Sequence, residues 1–79
     1  MILIPPKEAA ARMRLSKSTM YERAQDGRLT PPVKVGPRLS AWPLHEIEAI
    51  NAATVAGKSA DDIRALVADL GRQRTAVAA

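Results

Sequence analysis

The side chains of this chain that could take part in chemistry are mainly cations and hydroxyls, and most lie in its first half. Residues 1–42 contain eight lysines and arginines against three acidic residues, a net charge of +5. Residues 43–79 contain four against five, a net charge of −1, which gives +4 for all 79 residues. A basic surface attracts polyanions such as nucleic acid. It can equally be a solvated face without a partner, and charge alone does not separate the two.

Residues suited to catalysis or metal binding are scarce. The chain has no cysteine, which excludes thiolate nucleophiles and cysteine-based zinc sites, and it has a single histidine. We expect His45 on a solvated face, and Asp61 and Asp62 as complements to a helix dipole. The four glycines stand singly, so there is no glycine-rich phosphate loop. The sequence therefore predicts no catalytic residue, no cofactor, no metal site and no enzymatic activity.

Two short helices are predicted to hold the basic residues of the first half. The first should span residues 7–13 and follow two prolines. The second should span residues 17–25, because Ser16 is a good N-cap and Gly27 supplies a left-handed C-terminal residue. Such a pair is typical of a helix-turn-helix, although helix pairs of this size are also common in proteins that never bind DNA.

Residues 28–42 have the pattern of a β-hairpin. Two prolines exclude a helix, two valines at alternate positions indicate a half-buried strand, and Gly36–Pro37 is a turn signal. Leu39 and Trp42 on the returning strand are expected to point inward, with Trp42 as the main anchor of the core. A hairpin this small must pack against the helices. The apolar residues 1–4 are expected to form a small edge strand or an arm over the core.

Two further helices are predicted in the second half. The third begins at Pro43 and ends near Gly57. The fourth begins after Ser59 as its cap and ends at Gly71, and residues 72–79 are expected to fray. Its narrow apolar face packs either on the core or on a neighbouring molecule, and consists of Ile63, Leu66, Val67 and Leu70.

These elements predict one small domain that is mainly α-helical with a β-hairpin and has three to four short helices. Residues 1–57 contain the helix pair and the hairpin, and residues 58–79 supply the last helix and tail of the same domain. No apolar run approaches the roughly 18 residues that a membrane span needs.

The helix at residues 16–25 and the hairpin at residues 33–42 are candidates for a DNA interface. The N-terminal half of a helix can enter the major groove, and a basic hairpin tip can reach the neighbouring phosphates as a wing. The side chains with suitable chemistry are Ser16, Lys17, Ser18, Thr19 and Arg23 on the helix, Lys34 and Arg38 on the hairpin, and Arg12 and Arg14 beside the inter-helix turn.

Three side chains on this helix have simpler structural roles. Ser16 is expected to cap the helix in any case. Tyr21 belongs to the apolar stripe and is expected in the core rather than stacked on a base. Glu22 can pair with Lys17 or Arg23 in solvent, which would contribute only a fraction of a kcal/mol.

Three segments of the chain carry a family resemblance. They read L-I-P-P-K-E-A-A-A-R-M-R-L-S-K-S-T-M-Y, P-P-V-K-V-G-P-R and A-W-P-L-H-E-I-E-A. Through them, residues 3–56 resemble the AlpA-type phage and prophage regulators, which are MerR-like winged helix-turn-helix proteins related to excisionases. The most specific part is the L-S-K-S-T-M-Y block with the basic hairpin at the proper distance behind it.

The resemblance implies a winged helix-turn-helix fold and a DNA-binding protein of a phage or integrative element. Such proteins act as transcriptional regulators or as excisionases, also called recombination directionality factors. Activator, repressor and excision factor use the same protein surface, so all three remain open. The implied partners are double-stranded DNA, further copies of the chain on repeated sites, and an integrase or RNA polymerase. The implied location is the nucleoid of the bacterial cytoplasm.

The resemblance also assigns individual positions. It puts Lys17, Ser18, Thr19 and Tyr21 in the recognition helix, and Lys34, Gly36 and Arg38 in the wing. The chain departs from the family pattern at Pro5, where a threonine N-cap is usual, at Arg14, where a turn glycine is common, at Glu22, where a basic residue is frequent, and at Ala41, where an arginine often precedes the tryptophan. Glu22 can set base preference by accepting a hydrogen bond from cytosine.

A different class of function is also compatible with the sequence. A protein-binding adaptor or antitoxin-like module would use the apolar face of the C-terminal helix and would not retain DNA. Attachment to a membrane surface is excluded, because the basic residues are interleaved with prolines and do not line one amphipathic helix.

Overall fold

The computed structural model describes residues 1–78, and the side chains of residues 1–75. This part of the chain is mainly helical with a small antiparallel sheet, as the sequence predicts. The elements in chain order are β1 (Leu3–Ile4), α1 (Pro6–Met13), α2 (Lys17–Asp26), β2 (Val33–Gly36), β3 (Leu39–Pro43), α3 (Leu44–Val55) and α4 (Ala60–Ala78).

The helix boundaries in the middle of the chain follow from local capping. The Oγ of Ser16 accepts a hydrogen bond from the amide of Thr19 at 3.2 Å, which satisfies one of the free N–H groups at the start of α2. Gly27 ends α2 with a φ of 83°, a conformation that favours glycine. Ser59 caps α4 in the same way as Ser16 caps α2, through the amide of Asp62 at 3.1 Å. All three caps were predicted.

Helix α1 ends at a residue with an unfavourable backbone conformation. Arg14 follows it with a φ of 58°, and it is the only non-glycine residue with positive φ in the described part of the chain. The amides of Arg14 and Leu15 bond to the carbonyls of Ala11 and Ala10, at 3.2 and 2.9 Å, so the last turn is closed. Arg14 thus takes the conformation of a turn glycine, at a cost of roughly 1–2 kcal/mol for an L residue.

The sheet has the strand order β1-β3-β2, and both pairs are antiparallel. Trp42 on β3 pairs with Ile4 on β1 and is fully buried, and its Nε1 donates to the carbonyl of Thr30 at 2.7 Å. The prediction that Leu39 points inward is wrong, because its exposure is 64%. Residues three apart on a strand point to opposite faces, so Leu39 cannot share the buried face of Trp42.

Helix α4 packs on the core of its own chain. Val67 and Leu70 are buried, and Ile63 and Leu66 are half-buried against the same cluster. Of the two predicted alternatives for this apolar face, the intramolecular one is therefore found. The remaining core residues are Ile4, Ala9, Ala10, Met20, Leu29, Trp42, Ile47 and Ile50.

The predicted end of the last helix at Gly71 is wrong, and so is the frayed tail. Helix α4 continues through Gly71 to Ala78, while Ala79 lies outside the described residues. Burial of Leu70 before the glycine and an ion pair of Arg74 after it outweigh the cost of about 1 kcal/mol for a helical glycine. Within residues 1–78 we find no helix with both the length and the apolarity to cross a bilayer.

Candidate nucleic-acid interface

The N-terminal turn of α2 presents two free side chains to solvent. Lys17 and Ser18 are exposed, and neither forms a side-chain hydrogen bond within the described part of the chain. Ser16 is also exposed, but its hydroxyl accepts from the amide of Thr19 and lies 2.9 Å from the Thr19 hydroxyl. The hydroxyls of Ser16 and Thr19 are therefore engaged in the cap, which leaves Lys17 and Ser18 as the available contacts.

The next turn of α2 is divided between core and solvent. Met20 is fully buried, whereas Tyr21 retains 38% exposure. The ring of Tyr21 packs against Trp42, with centroids 5.6 Å apart and planes inclined at 60°. The prediction that Tyr21 lies in the core is therefore wrong, because its ring packs against the buried Trp42 but the side chain stays open to solvent.

Glu22 and Arg23 complete the candidate residues of α2. Glu22 is exposed and Arg23 is half-buried, and among residues 1–75 no side chain of opposite charge lies within 4.0 Å of either. The pairing of Glu22 with Lys17 or Arg23, which the sequence left open, is absent from this structure. The carboxylate of Glu22 therefore faces solvent as a free hydrogen-bond acceptor.

The hairpin presents one cation on its first strand and one in its turn. Lys34 on β2 and Arg38 in the turn are exposed. A β-bulge interrupts the pairing between Lys34 and Gly36. A Cβ at Gly36 would lie 3.5 Å from Leu39, an ordinary contact, so this glycine is not required for space.

Lys34 points to the side of the sheet that carries Trp42, and Tyr21 of α2 packs against Trp42. Tyr21 stands one turn after Lys17 on α2. Trp42 and Ser40 share a strand face, and Ser40 pairs directly with Lys34, so these three side chains point to one side of the sheet. The sheet face that Tyr21 contacts at Trp42 therefore also carries Lys34.

The two arginines beside the inter-helix turn differ in availability. Arg14 is exposed and has no acidic partner among the described side chains. Arg12 lies 3.6 Å from Glu8 one turn earlier, and its carbonyl accepts from Asn51. The Glu8 carboxylate partly neutralises Arg12, which makes Arg14 the stronger candidate of the two.

Ion pairing separates the two halves of the molecule more sharply than net charge does. In residues 43–75 every arginine is ion-paired and only Lys58 is not. In residues 1–42 only Arg12 and Arg28 are ion-paired. The cations of this half without a carboxylate within 4.0 Å in the described chain are Lys7, Arg14, Lys17, Arg23, Lys34 and Arg38. The positive potential therefore concentrates on α1, α2 and the hairpin.

A second charged cluster, which the sequence did not predict, closes the C-terminal end of α2. Arg28 Nε and Arg64 Nη2 both donate to Oδ2 of Asp26, at 2.6 and 3.1 Å. The hydrogen bond from Arg28, and then that from Arg64, lowers the pKa of Asp26 below its ordinary value. No sequence signal connects Asp26 with Arg64, because the two are 38 residues apart.

Acidification should weaken this cluster only well below neutral pH. Folding lowers the pKa of Asp26 below 3.8. The charged carboxylate therefore stabilises the fold at pH values above 3.8, and this contribution is lost as pH falls through the lower pKa of the folded state. We expect the difference in melting temperature between wild type and Asp26→Asn, measured by circular dichroism, to be constant from neutral pH to about pH 5 and to shrink below about pH 4. A difference that disappears near pH 6 would contradict the assignment.

The residues considered for catalysis are dispersed. His45 is exposed, Asp61 pairs with Arg64, and the amide of Asp62 is bonded to the cap Ser59. Among the residues that the structure describes, no group of three His, Cys, Asp or Glu side chains could hold a metal ion. Nothing in the sequence indicated the role of Glu46, which is fully buried and forms an ion pair with Arg74.

Comparison of the chain with protein-family models, with curated proteins and with solved structures finds no match. The resemblance of residues 3–56 to AlpA-type regulators therefore stays a prediction.

Proposed function

We propose that this protein binds double-stranded DNA as a winged helix-turn-helix module, with α2 as the recognition helix and the β2–β3 hairpin as the wing. The observation that carries the proposal is the set of cations on α2 and the hairpin that have no carboxylate within 4.0 Å in the described part of the chain, namely Lys17, Arg23, Lys34 and Arg38. Unpaired cations release condensed counterions when they contact phosphates, which drives binding to any duplex.

The first turn of α2 suits the major groove. The groove admits one helix, and its base edges carry hydrogen-bonding groups that side chains such as Lys17 and Ser18 can read. The positive end of the α2 dipole adds attraction for phosphate. Glu22, one turn further on, is an acceptor suited to the amino group of cytosine.

The hairpin suits the phosphate backbone beside that groove. Lys34 on β2 and Arg38 in the turn are exposed cations, and contacts of such side chains with phosphates fix orientation without reading sequence. A single module of this kind covers about 600–1,000 Å², so sequence-specific function would require several copies on adjacent sites.

The biological role we propose follows the resemblance. The protein would serve a phage or integrative element as a transcriptional regulator or as an excisionase, with an integrase or RNA polymerase as its further partner. That role implies a location at the nucleoid in the bacterial cytoplasm, and it involves no catalysis.

The test is fluorescence anisotropy with a labelled duplex of random sequence over a series of salt concentrations. We expect dissociation constants on the order of micromolar at moderate salt, which is the range of non-specific binding. If four of the unpaired cations contact phosphates, log K falls against log salt with a slope of about −3.6. If the protein did not bind the duplex at low salt, or if added salt did not weaken the binding, the proposal would be overturned.

Replacement of Lys34 by alanine should weaken binding to every duplex and flatten the salt slope by about one unit, because one phosphate contact is lost. The matched control is Arg72→Ala, which removes one positive charge from α4, where Arg72 is already paired with Asp69. The control should leave the slope unchanged. If Lys34→Ala changed sequence preference at constant affinity, Lys34 would be a base contact and not a phosphate contact.

The alternative role as a protein-binding adaptor has less support. It requires the apolar face of α4 to be free, whereas Val67 and Leu70 of that face are buried in the core of the same chain. The same titration separates the two functions, because an adaptor would not bind the duplex.

A further inference from the structure

The two ends of α4 are anchored to different parts of the molecule. Near its start, Arg64 bonds to Asp26 at the end of α2. Near its other end, Arg74 forms two hydrogen bonds with Glu46 in the first turn of α3, at 2.6 and 2.8 Å. Between these anchors Val67 and Leu70 are buried. Helix α4 therefore braces the end of α2 against the beginning of α3.

The contact with α2 is specific in its geometry. Arg64 donates from Nε to the carbonyl of Asp26 at 3.2 Å and from Nη2 to Oδ2 of Asp26 at 3.1 Å. Its stem passes over Gly27, where a Cβ would lie 3.9 Å from the Cγ and Cδ of Arg64. Arg28 adds its own bond to the same carboxylate. We call Asp26, Arg28 and Arg64 the α2 clasp.

We propose that α4 positions α2 for DNA recognition through the α2 clasp, and that Asp26 and Arg64 are positioning residues that do not touch DNA. This inference rests on the proposed function. The region that resembles AlpA-type regulators ends at residue 56, so the brace is an addition to the implied module. The carbonyl and the side chain of Asp26 are both held by Arg64, which restricts the direction of the last turn of α2 relative to α4.

A positioning role and a purely electrostatic role predict opposite signs for one substitution. Asp26→Asn removes a negative charge and releases Arg28 and Arg64 from their carboxylate. If the cluster acts only through its charge, the variant gains positive potential and binds all DNA more tightly. If the cluster holds α2 in place, the variant loses affinity for a duplex whose bases α2 reads, despite its higher charge.

The experiment begins with selection of a preferred duplex by the wild-type protein from a random pool. Anisotropy then compares wild type, Asp26→Asn and Asp69→Asn on the selected duplex and on a scrambled duplex of equal composition. Asp69→Asn is the matched control, because it also neutralises an aspartate that pairs with an arginine of α4 but contacts nothing on α2.

We expect Asp26→Asn to lose about tenfold in affinity for the selected duplex relative to Asp69→Asn, comparable to the loss of one base contact. On the scrambled duplex the two variants should bind equally well. If Asp26→Asn bound the selected duplex as tightly as Asp69→Asn, or more tightly, the inference would be overturned. If the wild-type protein bound neither duplex, the proposed function itself would be refuted, and with it any role of the α2 clasp in DNA recognition.

A second variant keeps the inference testable if Asp26→Asn does not fold, which circular dichroism would reveal. Arg64→Lys retains the charge but lacks the planar fork that bonds to the carbonyl and the carboxylate of Asp26 together. We expect reduced affinity for the selected duplex with an unchanged salt slope. Unchanged affinity for both duplexes would contradict the positioning role.

Discussion

Replacement of Trp42 by alanine is expected to destabilise the protein by about 3–5 kcal/mol, the usual cost of removing a large buried aromatic side chain. A domain of this length has a total unfolding free energy of about 4–12 kcal/mol. Trp42 is fully buried, packs against Tyr21, and donates a hydrogen bond from its Nε1 to the carbonyl of Thr30 at 2.7 Å. The variant should therefore lose a large part of its stability, and α2 should lose its contact with the sheet through Tyr21.

The measurement is urea denaturation followed by circular dichroism, because Trp42 is the only tryptophan and its fluorescence disappears with it. Leu39→Ala is the control, since Leu39 belongs to the same strand and is 64% exposed. The control should shift the midpoint only slightly. Trp42→Phe should fall between the two, because it keeps most of the packing but leaves the Thr30 carbonyl without its donor. Equal midpoints for Trp42→Ala and Leu39→Ala would show that the core is not centred on this side chain.

Replacement of Arg74 by alanine should have the second largest effect. The carboxylate of Glu46 has no exposed surface, and Arg74 holds both of its oxygens. Without Arg74 this charge would be buried without a partner, which typically costs about 3–5 kcal/mol. We expect a lower urea midpoint by tryptophan fluorescence and circular dichroism, and a loss of helix content in α4.

Two further variants test the cause of this loss. Arg72→Ala removes an exposed arginine of the same helix and should cost at most about 1 kcal/mol. A double variant with leucine at both positions 46 and 74 should recover much of the stability lost in Arg74→Ala, because it leaves no unpaired buried charge. If the double variant were less stable than Arg74→Ala, the ion pair itself, and not the avoidance of a buried charge, would be the stabilising element.

The sequence by itself determined the features that depend on neighbouring residues. Ser16 and Ser59 cap the helices that follow them, and Gly27 ends α2, because a cap joins atoms only two or three residues apart. The spacing of apolar residues predicted helix α3, and the alternation of apolar and charged residues in β2 predicted the hairpin, because both patterns depend only on residues close together in the sequence. The unequal division of charge between the two halves was also evident from the residues alone.

Tertiary structure decided which charges are neutralised. Glu46 and Arg74 are 28 residues apart, and Asp26 and Arg64 are 38 apart, so no local pattern joins them. Their meeting depends on how α4 packs against α3 and the end of α2, which is set by the burial of many apolar side chains at once. The candidate cations on α2 and the hairpin could therefore be predicted by type and position. The lack of carboxylate partners for these cations within residues 1–75 could not be predicted, because pairing depends on distances that exist only after the helices have packed.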